Sequence, residues 1–568
     1  MCLPLLAQAQ RTAPVNGPHH RAEPLYAFTG ATLHPLPDQA FVGTLLVKDG
    51  RILRSGRNIP LPPEAIVVDL KGRHIWPAFI ESYSDLGVNR EKDEDHKSKV
   101  VGARSWNPAI HPAVRADALY RVDKDAAAKL RAQGFGMVVT HAHDGIMRGT
   151  GAAVLLADRS PAEDVLLPRA SSHFSFDKGS SKEDHPSSLM GSIALIRQTL
   201  YDAAWYAEQG HMEQSDVDLE ALNELQTLPL VFEAKDRRDV LRIHELALEF
   251  GLHPIVKGHG DEFARVEAIA ATGRTMILPL AFPKALDVAD PFAALEVPLA
   301  TLREWELAPF NPGMLAAAGV PFAFTTRGLK DPSELWAALR MAVRCGLDTS
   351  AAIAAFTTVP AALFNVQDRV GSLAEGMLAN FMITSEHLLS KENTILSTWV
   401  AGIPFEKEGL EAMDLRGTYD LNLRSSILKL MVGGKVTAPA LTVRRPGPDS
   451  TSVKVDIDLQ GNVLTLNFDG TKLGMDGPVR LNGIIHRQSA IWDGQGQLPS
   501  GEWIAWSAVR QKAEGKAREE KKKNEKPDLD SLMASGASPV TYPLTAFGTA
   551  ALPDSSTLLF RHATVWSN

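Results

Sequence analysis

At 568 residues, the chain is too long for one ordinary core, and with 45% hydrophobic and 22% charged residues its composition is that of a globular protein. A formal net charge of -8 argues against a nucleic-acid partner, and no apolar run approaches the roughly 20 residues that a membrane-spanning helix needs. Two cysteines, Cys2 and Cys345, do not make a disulfide framework.

Residues 1–25 open with a short apolar stretch that ends in Ala7-Gln8-Ala9, the small-x-small form of a signal-peptidase site. The stretch is short and lacks a basic start, so it reads as a signal-peptide remnant or a disordered tail. A periplasmic or secreted protein is the expectation, with a cytoplasmic one as the alternative. Residues 26–76 alternate apolar strands with turns, and Asp49-Gly50 between LLVK and RILRSG signals a tight hairpin. From 77 to 370 short apolar runs (AFIES, FGMVVTHAH, GAAVLLAD, LPLVFEAK, HPIVKGHG, TMILPLAF, VPFAFTTR) alternate with helix-like stretches. That alternation predicts an α/β fold, and its length suits a TIM-like (β/α)8 barrel. Chemistry in such a barrel sits at the C-terminal strand ends, which singles out Tyr83, His141, Lys235, His259 and Arg327.

Residues 371–405 return to short strands, and residues 415–510 read as a separate β-rich, sandwich-like domain. Residues 511–530 are mostly charged, of both signs, as expected of a solvated linker. Within 540–568, TLLFRHATVWSN resembles the first strand of a further unit.

Two long strings carry a family resemblance. The first is LLVKDGRILRSG followed by AIVVDLKGRHIWPAFIESYSDLG, with Gly72, Pro77, Phe79 and Ile80 in place and Glu81 where aspartate is usual. The second is TTVPAALFNVQDRVGSLAEGMLANFMITSE, with Asn380 where aspartate is usual. On these strings residues 26–405 resemble the amidohydrolase superfamily of metal-dependent hydrolases, imidazolonepropionase- and prolidase-like. The resemblance implies a small composite β-sandwich, built from 26–76 and 371–405, attached to the barrel at 77–370. The runs DGIMRGTGAAVLL, SLMGSIALIRQTLYDAAWY and WELAPFNPGMLAAAGVPFAFTTRGLKD further resemble exported bacterial proteins with two amidohydrolase halves in tandem, of which the first is degenerate. Thr564-Val565-Trp566-Ser567-Asn568 matches the start of such a second half.

The family hydrolyses carbon–nitrogen bonds with one or two divalent ions. The resemblance implies ligands from a His-x-His at the first strand, a lysine carbamate or acid at the fourth, histidines at the fifth and sixth, and an aspartate base at the eighth. Here the first pair is Tyr83-Ser84-Asp85, the fifth-strand position falls at Lys235, the sixth at His259, and the eighth at Thr326 or Arg327. An ammonium has no lone pair to give a metal. Lys235 and Arg327 would instead bring positive charge into the mouth, to pair with Asp85, Glu81 or Glu233. His141-Ala142-His143 has a metal-friendly spacing and with His259 would make a shifted metal site, with zinc as the ion. A hydrogen-bonded structural role for these histidines is the plainer reading. His173 and His185 lie in the Ser/Asp-rich stretch SSHFSFDKGSSKEDHPSS, which reads as a surface loop near the mouth.

Three functions follow. The first is a catalytically silent half without a cofactor, structural or regulatory, whose partner is a second amidohydrolase half. The second is an active metal-dependent hydrolase using His141, His143 and His259. The third is a non-catalytic module that binds a small amide or peptide at the mouth.

Overall fold

The computed structural model describes residues 24–88, 104–209, 215–287, 290–407, 415–513 apart from short breaks at 425, 436–437, 448–450, 461–462 and 487–490, then 536–551 and scattered residues up to Thr564. Residues 1–23 of the signal-peptide remnant, nearly all of the charged linker and the last four residues of the Thr564–Asn568 match lie outside them, whereas Leu25 is described and buried. The chain forms two compact units, residues 1–405 with 530–568, and residues 406–529.

In the first unit Tyr26–Leu33 pairs antiparallel with Phe41–Lys48, which turns at Asp49-Gly50 into Arg51–Gly56. Both turn residues have positive φ, 51° and 70°, as a two-residue hairpin of this hand requires. A Cβ on Gly50 would meet the Ala401 carbonyl oxygen at 2.7 Å, so glycine also admits that neighbour. His74–Pro77 joins the same sheet and pairs antiparallel with Phe381–Thr384, which pairs with Ile395–Val400. Segments about 300 residues apart in sequence thus share one sheet. Their shared core is aromatic: Phe28 meets Phe381 and Trp399 edge-on, with centroids 5.4 and 5.1 Å away.

Eight strands make the barrel: β1 Phe79–Ser84, β2 Phe135–Thr140, β3 Met147–Leu155, β4 Val165–Ser175, β5 Leu230–Glu233, β6 Ile255–Lys257, β7 Met276–Pro279 and β8 Phe322–Thr325. They pair in sequence order from β1 to β8. The two ends of this sheet come together through the pair Ala355-Phe356. The Phe356 carbonyl accepts from Ile80 N of β1, and the Ala355 carbonyl accepts from Phe324 N of β8. Inward residues Ile80, Met137, Val139, Val231, Ile255, Ile277 and Ala323 fill the interior. Helices such as Arg237–Phe250 and Leu335–Arg344 cover the outside with Val240, Ile243, Leu335 and Leu339.

The barrel departs from regular strand–helix alternation at β3, which is antiparallel to both β2 and β4. Only residues 141–146 join β2 to β3. A parallel crossover needs a dozen or more residues, so this link can only turn back. A second departure is β4. Its polar face, Ser171, His173 and Ser175, belongs to a buried strand and not to the expected surface loop.

The second unit corrects the expectation of a sandwich. Eight antiparallel strands between Gly417 and Ala513 form a closed barrel in which the last strand, Trp503–Ala513, pairs with the first, Gly417–Leu423. Every other residue faces a core centred on Tyr419, Leu421, Leu466, Leu481 and Trp492. Within the first unit, residues after the linker return to the large barrel's helices. Leu544 is buried with Phe263, Ala264, Leu307 and Ala308, and Arg303 donates to Thr541 Oγ1.

Candidate functional site at the barrel mouth

The C-terminal strand ends gather a charged cluster. Glu233 and Lys257 close β5 and β6 and are register partners across those strands. Lys257 Nζ lies 3.6 Å from Glu233 Oε1, while Arg148 of β3 holds Glu233 Oε2 at 2.9 Å. Arg148 is buried and fully engaged. It also donates from Nη1 to the Tyr83 hydroxyl at 2.8 Å and from Nε to the Gly145 carbonyl at 3.0 Å. Burial pushes the Glu233 carboxyl up, but Arg148 and Lys257 outweigh it and hold it below its ordinary value. Burial pushes the Lys257 ammonium down, against the pull of Glu233. Burial also raises the Tyr83 phenol, so the Tyr83 hydroxyl stays neutral.

A second carboxylate joins the first strand to the eighth. Glu81 is buried and accepts from Thr326 N at 2.7 Å, Thr326 Oγ1 at 2.6 Å, Tyr83 N at 3.0 Å and the Thr325 hydroxyl. Burial raises its pKa and these four donors oppose the rise. At the rim, Arg327 Nη1 donates to Asp85 Oδ2 at 2.8 Å, and His143 Nδ1 faces the same oxygen at 3.7 Å. Burial raises the Asp85 carboxyl, but His143 and Arg327 bring it below its ordinary value.

Beneath the rim lies a stack of imidazoles. The His141 and His173 rings lie 3.5 Å apart, centroid to centroid, and 11° from parallel. His143 lies 4.1 Å from His141, and Tyr83 is 4.7 Å from both His141 and His143. His173 Nε2 shares a 2.8 Å hydrogen bond with Ser171 Oγ. Both ring nitrogens of His141, Nε2 of His143 and Nδ1 of His173 are buried without a hydrogen-bond partner among the described residues. Burial, reinforced by the neighbouring imidazoles, holds His141 well below its ordinary pKa. Burial and the facing Arg327 lower His143 to about 3, and burial also holds His173 well below its ordinary value. All three rings are therefore neutral at pH 7.

The family's ion does not fit this arrangement. A catalytic zinc needs at least three nitrogen, sulfur or oxygen donors converging at about 2.0–2.3 Å. The in-plane lone pairs of His141 and His173 lie in near-parallel planes and do not meet. Tyr83 is taken by Arg148 and Asp85 by Arg327. Among the described residues no group of three His, Cys, Asp or Glu side chains can hold a metal ion.

The structure thus rearranges the sequence-based candidates. Tyr83, Asp85, Thr326 and Arg327 lie at the mouth, and His141 and His143 stand beside them. His259 does not join them: its ring is exposed, and its backbone N–H donates to Glu262 Oε1 at 2.7 Å. Lys235 turns outward to Asp177 Oδ2 at 2.6 Å, with 60% of its side chain exposed. An exposed pair of this kind contributes about 0–1 kcal/mol. Lys235→Ala is expected to leave the denaturation midpoint of the first unit nearly unchanged, and a shift worth more than about 2 kcal/mol would place Lys235 inside the cluster after all. His185 lies apart, its ring stacked on Trp106 at 6.2 Å.

Sequence reasoning missed Arg148 and Lys257 and set His173 on a surface loop. For the last two the signals were present. Lys257 interrupts the apolar run of β6, and His173 alternates with Phe174 and Phe176 at the strand period of two. Arg148 carried no local signal, because its inward direction follows from the reversal of β3.

Comparisons with known proteins agree with this barrel. A family model described as the amidohydrolase family matches residues 306–436. The chain is 24% identical over 383 residues to an imidazolonepropionase of Symbiobacterium thermophilum, covering 60% of this chain and 84% of that protein. The crystal structure of an amidohydrolase from Thermotoga maritima superposes with a TM-score of 0.56 at 20% identity, covering 67% of this chain and all of that one.

Proposed function

We propose that this chain, a member of the amidohydrolase superfamily, is catalytically silent as a metal-dependent hydrolase in its first unit, the mouth held together by side-chain charges in place of an ion. One observation carries the reading: Arg148 and Lys257 clamp Glu233 at the strand ends from which a metal would be bound. Two cations within reach of one carboxylate oppose a divalent ion by direct repulsion. Glu81 has no freedom to act as a base, because its oxygens already accept from Thr325, Thr326 and Tyr83.

The test is metal analysis of the purified chain grown with zinc. Well under one equivalent is expected, unchanged by replacing His141 or His143. One equivalent of zinc that disappears in His143→Ala would overturn the reading in favour of the shifted metal site. The tandem-like runs support a second amidohydrolase half as the partner this unit serves. Continued coding sequence after Asn568 without a His-x-His opening strand would remove that partner.

A further inference from the structure

We propose that Lys257 is a carbonyl-capturing amine, which holds a small 2-oxo acid or aldehyde at the barrel mouth as a reversible imine. The inference goes beyond the silent-hydrolase reading and does not depend on it.

Three features of the mouth carry it. Lys257 ends β6 inside the mouth, with 9% of its side chain exposed, so a reagent reaches it only from the open end. Its ion pair with Glu233 Oε1, at 3.6 Å, is longer than the 2.9 Å contact of Arg148, so of the two cations on Glu233 the amine is the more loosely held. The carboxylate itself is locked, because Arg148 fixes its other oxygen at 2.9 Å. A stationary base thus faces a movable amine, the arrangement that nucleophilic lysines need. The Tyr83 ring, itself buried, lies 5.6 Å from Nζ and keeps the surroundings of the amine apolar. The rim guanidinium of Arg327 pairs with Asp85 Oδ2 at 2.8 Å through Nη1 and, 43% exposed, has further N–H groups with which to meet the carboxylate of a 2-oxo acid.

The steps balance without an oxidant or reductant. Glu233 takes one proton from the ammonium. The freed amine attacks the carbonyl carbon, forming the C–N bond, and the carbonyl π pair moves to oxygen. That oxygen receives a proton from nitrogen through Glu233, giving a carbinolamine. Glu233 then returns its proton to the hydroxyl, the C–O bond breaks, and water leaves. The net change turns ammonium and carbonyl into a protonated imine and one water.

Lys235, the neighbouring mouth-strand lysine, does not share this setting. Lys235 is exposed and tied to Asp177 at 2.6 Å. It serves as the internal control.

The experiment treats the whole chain with pyruvate and cyanoborohydride, which reduces an imine to a stable amine, and maps the modified lysines by peptide mass spectrometry. Lys257 is expected to be labelled at least about ten-fold faster than Lys235, a preference lost in denaturant. Labelling of Lys257 at or below the level of Lys235 in the folded chain overturns the proposal. This readout needs no variant, so a folding defect cannot obscure it. Glu233→Gln, where it folds, is expected to slow labelling at Lys257 by about ten-fold or more. Unchanged labelling there would overturn the role assigned to Glu233.

Discussion

Arg148→Ala is expected to destabilise the first unit by about 3–5 kcal/mol, the cost of removing one partner from a buried ion pair. Arg148 is 4% exposed and satisfies three groups at once, Glu233, the Tyr83 hydroxyl and the Gly145 carbonyl. Its loss leaves Glu233 with only the long contact to Lys257 and strands a buried phenol. Arg148→Lys keeps the charge without the fork, so it can serve Glu233 or Tyr83 but not both, and its cost is expected to be intermediate. The measurement is the calorimetric transition of the first unit. A shift for Arg148→Ala as small as that for Lys235→Ala would show that the cluster adds nothing to the fold.

Acid is expected to unfold the first unit from just below pH 6.5. His34 stacks on Trp76 with centroids 3.3 Å apart, and its Nε2 shares a 2.9 Å hydrogen bond with His74 Nδ1. Burial, with His74 and His387 beside it, lowers His34 to about 3. His143 is lowered to about 3 as well, and His141 and His173 lie well below their ordinary value. These are groups whose folded pKa is depressed. Below pH 6.5 the unfolded chain binds protons that the folded chain refuses, so stability is complete above 6.5 and falls progressively toward about pH 3. Each such histidine contributes a slope of at most about 1.4 kcal/mol per pH unit, and the four together up to about 5.5. Raised carboxyls at Glu81, Asp164 and Asp218 act in the opposite sense and soften the fall in the carboxylate range. Denaturation midpoints measured between pH 7.5 and 4 check this. His141→Phe keeps a ring in the stack without a titrating nitrogen and is expected to flatten the slope by about 1.4 kcal/mol per pH unit near pH 5. A slope unchanged by that substitution would mean that His141 protonates freely in the folded state.

Much of the scaffold is legible in the chain because it depends on local rules. The Asp49-Gly50 hairpin follows from two residues that tolerate positive φ. Most barrel strands follow from short apolar runs set between amphipathic helices, and their ordinal places put Lys235, His259 and Thr326 just past the ends of β5, β6 and β8. That Tyr83 and Asp85 stand where the resemblance implies a histidine pair is likewise visible without coordinates. The sandwich-like reading of residues 415–510 failed for a definite reason. Alternation such as that of Gly417–Leu423 reports one buried face, which a sandwich and a barrel share. The difference lies in the pairing of Gly417 with Ala513, a contact between the two ends of the domain.

The site shows the same division. Residue types alone determined that positive charge had entered a place where a metal ligand was expected, and that His141-Ala142-His143 ends an apolar strand. Tertiary structure decided which cations those are. Lys235 lies two residues beyond the end of β5 and points to the rim, whereas Lys257, the last residue of β6, pairs in register with Glu233 and points inward. Arg148 reaches the same carboxylate only because the short turn after His143 forces β3 to run backwards. A side chain's chemistry is written at its own position. Its direction and its partner depend on strand orientation and register, which are set by pairings between distant segments of the chain.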